Sequence, residues 1–153
     1  MKTILLAAAA AATFAALPAY AATDAECQAM WTKADVNKDG VLTNAEAARY
    51  SAAMRVADKK LGADGKLDQT TFLEACKSDV YMTRKNDEGA PLKGANSFTE
   101  GQARDRALSH GLTSVADLKK DGDGIWRGSA MQDGKSVKVA VDYKGNVVPQ
   151  PAP

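Results

Sequence analysis

The chain has 153 residues, with 20 basic and 19 acidic side chains and a formal net charge of +1. Because these charges nearly balance, the composition does not indicate a nucleic acid or an anionic membrane surface as a partner. One histidine and two cysteines do not supply the ligands that a zinc site needs.

The N-terminal residues have the pattern of a secretory signal peptide. An apolar run extends from Ile4 to Leu17, and Pro18 and the small-residue site Ala19-Tyr20-Ala21 follow it. This pattern predicts cleavage after Ala21. The run is shorter than the ~20 residues that a membrane-spanning helix needs. We therefore expect a periplasmic or secreted bacterial protein without a membrane span.

Residues 22–79 are expected to form a helical domain. The first helix has an apolar stripe at the spacing i, i+3, i+4 and i+7, formed by Cys27, Met30, Trp31 and Ala34. Asn44 is expected to cap a second helix. Its apolar residues recur every three or four positions: Ala47, Tyr50, Met54, Ala57 and Leu61.

The loop between these helices, DVNKDGVLTNAE at 35–46, has oxygen-bearing residues at the spacing that calcium requires. A twelve-residue loop supplies ligands from positions 1, 3, 5, 7, 9 and 12, with glycine at position 6. Thr43 stands at position 9 and Gly40 at position 6. The other candidate ligands are the side chains of Asp35, Asn37, Asp39 and Glu46 and the backbone carbonyl of Val41. The alternative interpretation of these residues is a solvated polar turn.

This helix, loop and helix resemble the EF-hand family over roughly residues 24–60. The resemblance implies Ca²⁺ as the cofactor and a calcium-binding protein.

A second loop, LGADGKLDQTTFLEAC, matches the same pattern only in part. Lys60, Gly62 and Thr71 stand at positions 1, 3 and 12, so the loop is expected to be degenerate, with Asp68 capping a third helix. The segment between the two loops is short enough to be a single helix of about 20 Å. We therefore expect the loops at opposite ends of that helix, without the side-by-side pairing usual in EF-hands.

Cys27 and Cys76 lie on the first and third predicted helices. Thiols of an exported protein tend to pair, which favours a disulfide. Two separate buried thiols remain an alternative, and a redox pair is a weaker one because the sequence has no C-x-x-C motif.

Residues 80–97 are polar, contain glycine and proline, and indicate a linker or an ordered crossover. After them, Thr99 and Gln102 predict a capping box, and Gly111 should end the helix. Three segments of strand character follow, TSVADLKK, IWRGSAMQ and SVKVAVDY, then a short Val147-Val148 segment and a disordered tail at 149–153. The expected module over 98–148 is one helix on an antiparallel meander, which makes the whole chain α+β.

The segments FTEGQARDRA, DGIWRGSAMQDGKSVKVAVDY and KGNVV resemble the PepSY-like domains of exported bacterial proteins. That resemblance implies a binding or inhibitory module, and restraint of peptidases is the function suggested for such domains.

Two functional hypotheses follow from the sequence. The first is a non-enzymatic protein in which calcium is structural or buffered, and the alternative is an envelope adaptor or protease-inhibitor-like protein acting through residues 98–148. An enzyme is disfavoured because no acid–base or nucleophilic groups converge in the sequence. The motif DGDG at 121–124 is interpreted as a hairpin turn, and His110 as a residue at a helix end.

Overall fold

The computed structural model describes residues 22–152. The predicted signal peptide and its cleavage site after Ala21 lie outside the described residues. The described chain is α+β, as expected, and has two hydrophobic cores, one among N-terminal helices and one beneath a C-terminal sheet.

Three helices and two short strands form the N-terminal part. The helices are α1 (Asp24–Ala34), α2 (Asn44–Val56) and α3 (Gln69–Lys77), the strands are β1 (Val41–Leu42) and β2 (Leu67–Asp68), and a 3₁₀ turn covers Ala63–Gly65. As predicted, the Asp68 side chain caps α3, accepting a hydrogen bond from the Thr71 amide at 2.8 Å. The predicted cap of α2 is wrong by one residue: the N-cap is Thr43, and Asn44 is the first residue of the helix.

Aromatic side chains from separate segments meet in the helical core. Trp31 packs edge-on against Phe72 with ring centroids 5.2 Å apart, and Tyr50 contacts both Phe72 and Tyr81. Offset and edge-on contacts of this kind add to the free energy gained from burial alone. The predicted core position of Trp31 is therefore confirmed.

Cys27 and Cys76 form a disulfide that joins α1 to α3. Their Cα atoms lie 5.8 Å apart, within the range that a disulfide spans. Both residues are buried in the helical core. The favoured interpretation of the two cysteines is confirmed, and the alternative of separate thiols is wrong.

The expectation that the two loops lie at opposite ends of one helix is wrong. Strands β1 and β2 pair antiparallel, with Leu42 opposite Leu67, so the loops lie side by side. The error came from extending α2 through to the second loop. Helix α2 ends at Val56, and the ten residues that follow are largely non-helical. At up to ~3.3 Å per residue they are long enough to run back along a helix of about 20 Å.

Residues 80–97 form an ordered crossover rather than a free linker. Tyr81 is buried in the helical core. Farther along, the Asn86 side chain exchanges hydrogen bonds with the backbone of Val147 at 2.7 and 2.9 Å, and the Leu92 amide donates to Asp142 Oδ2 at 2.8 Å. The crossover is thus attached to both cores.

The C-terminal part has one helix on a four-stranded antiparallel meander. Helix α4 (Glu100–Ser109) precedes strands β3 (Thr113–Lys120), β4 (Trp126–Gln132), β5 (Lys135–Val141) and β6 (Val147–Pro151), which are arranged in sequence order. The predicted capping box of Thr99 and Gln102 is present. Gly111 has a φ of 94° and follows the C-cap His110. The helix therefore ends at the position that Gly111 predicted from the sequence.

Two details of this module differ from expectation. The tail at 149–153 was predicted to be disordered, but β6 continues to Pro151 and pairs with β5 as far as Val137. Proline is acceptable there because β6 is an edge strand, which can lack an N–H donor on its open side. The predicted strand segment SVKVAVDY is too long, because β5 ends at Val141 and Tyr143 lies beyond it, partly exposed.

Helices α2 and α4 pack against each other and join the two parts. Arg55 of α2 donates from Nε to Asp105 of α4 at 2.7 Å, and a second bond makes the pair bidentate. Within residues 22–152, no helix is long and apolar enough to cross a membrane.

Candidate metal centre

The loop at 35–46 is held at both ends by helices. Helix α1 ends at Ala34, and the Asp35 amide still donates to the Trp31 carbonyl at 2.9 Å. At the other end, the Glu46 amide donates to the Thr43 carbonyl at 3.0 Å. The first and last candidate ligands are therefore attached to regular structure.

Asp35 has one oxygen satisfied and one left over. Its Oδ2 accepts a hydrogen bond from the Gly40 amide at 3.1 Å. Its Oδ1 is buried and has no hydrogen-bond partner among the described residues. A buried carboxylate oxygen without a partner is costly. The chemistry that relieves this cost is a cation or a donor that reaches Oδ1.

Gly40 allows the sharp turn on which this arrangement depends. Its φ is 81°, in the left-handed region that glycine enters without a steric penalty. Because of this turn, the Gly40 amide points back at Asp35 and closes the first half of the loop.

Asn37 and Asp39 are held together by hydrogen bonds inside the loop. Asn37 Nδ2 donates to Asp39 Oδ2 at 2.9 Å, and the Asp39 amide donates to Asn37 Oδ1 at 3.1 Å. The Val41 amide donates to Asp39 Oδ1 at 2.9 Å. These bonds restrict both side chains, so that fewer conformations are lost if they bind an ion.

Glu46 folds back over the start of the loop. Its Oε1 accepts from the amides of Val36 and Asn37 at 3.1 and 3.3 Å. The last candidate ligand is thereby brought to the first residues of the loop, ten positions earlier. Val41, the residue whose carbonyl was predicted as a ligand, begins strand β1, and Thr43 makes no side-chain capping bond with α2.

Within residues 22–152, no group of three or more His, Cys, Asp or Glu side chains is close enough to hold a metal ion on its own. A calcium site in this loop has to rest on mixed ligands. Asp35, Asp39 and Glu46 supply carboxylates, and the Asn37 amide oxygen and the Val41 carbonyl are neutral. Calcium accepts such a set because it binds carboxylate, amide and backbone oxygens alike. The donor chemistry fits the ion, although the carboxylates alone form no cluster.

The second loop supports the first without reproducing its chemistry. Lys60 stands where the first loop has Asp35, and Thr71 where it has Glu46. Asp64 and Gly65 keep the turn, with φ of 61° and 70°. Asp68 is already engaged in capping α3. This loop therefore contributes the strand that pairs with β1 rather than a second set of ligands.

The DGDG motif and His110 have structural roles, as predicted. DGDG forms the β3–β4 turn, where Asp121 Oδ1 accepts from the amides of Asp123 and Ile125 at 3.0 and 2.9 Å. Those amides and the Arg127 side chain lower the pKa of Asp121. His110 is the C-cap of α4, and burial, aided by the charge of Arg49, lowers its pKa. A T-x-x-E pattern, not among the predicted signals, gives α1 a capping box of Thr23 and Glu26.

Comparison with known proteins yields no match: no protein-family model, no curated protein and no solved structure is significantly similar to this chain.

Proposed function

We propose that the protein is an exported bacterial calcium-binding protein with a single EF-hand-like site in the loop at 35–46. The observation that carries the proposal is the buried Oδ1 of Asp35, which lacks a partner in the described chain. It lies at position 1 of a loop in which Asn37, Asp39 and Glu46 are already held by internal hydrogen bonds. A bound Ca²⁺ would supply a partner to Asp35 Oδ1 and offset two of the three negative charges of this loop.

The disulfide supports the compartment in this proposal. Disulfides persist in oxidising compartments such as the bacterial periplasm and the cell exterior. EF-hand-like sites in extracellular modules work at Ca²⁺ concentrations of roughly 10⁻⁴–10⁻³ M. A site with one ligand-bearing loop and modest affinity suits that range. In this proposal the ion stabilises the fold or is buffered, and the protein performs no catalysis.

Calorimetric titration of the chain beginning at Ala22 with CaCl₂ tests the proposal. We expect about one Ca²⁺ per chain and no cooperativity, because the second loop lacks acidic side chains at positions 1 and 12. Glu46→Gln should weaken binding at least tenfold, since it removes a carboxylate at the position that binds bidentately. Glu74→Gln is the matched control, because Glu74 is exposed on α3.

Two sites of similar affinity would contradict the assignment of one ligand-bearing loop. An absence of heat and of any calcium-dependent change at millimolar Ca²⁺ would contradict the proposed function itself.

A further inference from the structure

A cleft lies at the junction of the helical part and the sheet module. Its volume is about 240 Å³, slightly below the ~300–1,000 Å³ of typical small-ligand pockets. Its walls come from the end of α2, the start of the crossover, the end of α4 and the β5–β6 turn. The cleft is separate from the loop at 35–46 and plays no part in the proposed calcium function.

Basic side chains make up the charged part of the cleft lining. Arg84, Lys85, Arg106 and Lys144 line the cleft, together with His110, and no acidic residue among those described is part of the lining. The acidic side chain that comes near is Asp87, which pairs with Lys144 at 3.3 Å. The excess of basic over acidic side chains around the cleft contrasts with the near-zero net charge of the whole chain. The cleft therefore favours an anion.

Arg106 is the most informative of these cations. It is half-buried, its guanidinium lies over the Phe98 ring at 3.7 Å, and it forms no ion pair within residues 22–152. The neighbouring Asp105 is instead paired with Arg55. Burial lowers the pKa of Arg106, yet a guanidinium stays charged in proteins. Its Nη1 donates one hydrogen bond to the Gln102 carbonyl at 3.3 Å. The remaining donors of a half-buried arginine without an ion pair can bind a carboxylate.

The lining of the cleft also contains apolar side chains. Val56 and Met82 line the cleft and are 41% and 63% exposed, and they are two of the four large hydrophobic residues most exposed among those described. Exposed apolar side chains beside a charged site indicate a ligand that has both an apolar and an anionic part.

We propose that this cleft binds the C-terminal end of a peptide chain, with its carboxylate at Arg106 and its last, apolar side chain against Val56 and Met82. The small volume fits a chain end, with one side chain and one carboxylate, better than the acyl chain of a lipid. Capture of a terminal carboxylate is an established mode of peptide recognition. Arg84, Lys85 and Lys144 add long-range attraction, so the affinity should fall as salt is raised.

Fluorescence anisotropy with a labelled peptide ending in Ala-Leu tests this proposal on the chain beginning at Ala22. We expect the peptide with a free carboxylate to bind at least tenfold more tightly than the same peptide with an amidated end. Arg84→Gln should weaken binding several-fold, and because Arg84 is exposed the fold should be kept. Lys138→Gln is the matched control, since Lys138 is exposed on β5 and is not part of the cleft lining. Arg106→Met should abolish the preference for the free carboxylate.

Equal binding of the free and amidated peptides, or no binding at millimolar peptide, would overturn the proposal. Binding of phosphatidylglycerol vesicles without binding of either peptide would also overturn it, in favour of a lipid surface. Calcium titration of the Arg84→Gln variant keeps the two proposals distinguishable, because it should be unchanged whatever the peptide result.

Discussion

Leu42 and Leu67 lie directly opposite each other in the β1–β2 pair, and both are fully buried. Leu42 belongs to the loop with the candidate calcium ligands, and Leu67 belongs to the loop that lacks them. The degenerate loop therefore supports its neighbour mechanically. Calcium affinity should depend on residues that bind no ion.

The first prediction tests this support. Leu67→Ala should destabilise the fold by about 2–5 kcal/mol, because it removes a fully buried side chain. It should also weaken calcium binding, since β1 loses its packing partner. The control is Leu73→Ala on α3, where the side chain is only partly buried. Calorimetric titration at a temperature where both variants are folded measures the effect, and equal affinities in the two variants would contradict the coupling.

The second prediction concerns how calcium acts. A ligand that binds only the folded state raises stability by RT ln(1 + [L]/Kd), so Tm should rise with calcium. The disulfide ties α1 to α3, which opposes the helix opening of a sensor. Differential scanning calorimetry and binding of a hydrophobic dye measure the two effects. A large calcium-dependent rise in dye fluorescence would indicate a sensor instead.

The third prediction concerns the disulfide. Closing a loop of about 50 residues contributes roughly 3–4 kcal/mol in the chain-entropy model. The double variant Cys27→Ser, Cys76→Ser should lose about that much in urea denaturation, and protein from the periplasm should show no free thiol when denatured without reductant. Reactive thiols in most molecules of the native protein would contradict the bond.

The fourth prediction concerns Asp142, which is completely buried at the end of β5. Its carboxylate accepts hydrogen bonds of 2.7–3.0 Å from four donors: the backbone amides of Leu92, Lys144 and Asn146 and the side-chain amide of Asn146. Asp142→Ala leaves these donors unsatisfied and should cost about 2–4 kcal/mol. Asp133→Asn in the exposed β4–β5 turn is the control, with a loss below about 0.5 kcal/mol. Similar denaturation midpoints for the two variants would show that the network is not stabilising.

The fifth prediction concerns pH. Burial lowers the pKa of His110 in the folded state, while the unfolded chain keeps a value near 6.5. Below that value the unfolded state takes up the proton more readily, so stability falls as pH drops from about 7 through 6.5 towards the lower folded pKa. In the His110→Gln variant, the denaturation midpoint should change less with pH between 7.5 and 5.5 than it does in the native sequence. An unchanged slope would assign the pH dependence to other groups.

Local patterns predicted α1 and the caps of α3 and α4, but neither the cap nor the end of α2. Apolar spacing located α1, the capping signals at Asp68 and Thr99 located the starts of α3 and α4, and Gly111 located the end of α4. Each of these features depends on residues within one or two turns of one another, which is why the sequence alone was sufficient.

Features that depend on distant parts of the chain were not predicted. The β1–β2 pairing depends on where α2 stops, and no glycine or proline marks Val56 as its last residue. The cleft brings Arg84, Arg106 and Lys144 together from three separate segments, and no spacing in the sequence reports that. The loop at 35–46 is closed by internal hydrogen bonds, and its occupation by calcium stays a prediction.

The crossover at 80–97 has a consequence for how this chain can change through evolution. Its first residues complete the helical core through Tyr81, and its later residues hydrogen-bond to the sheet module through Asn86 and Leu92. Recombination inside this segment would separate the helical core from the hydrogen bonds that attach the crossover to the sheet module. The two halves are therefore expected to be inherited together, as one unit of selection.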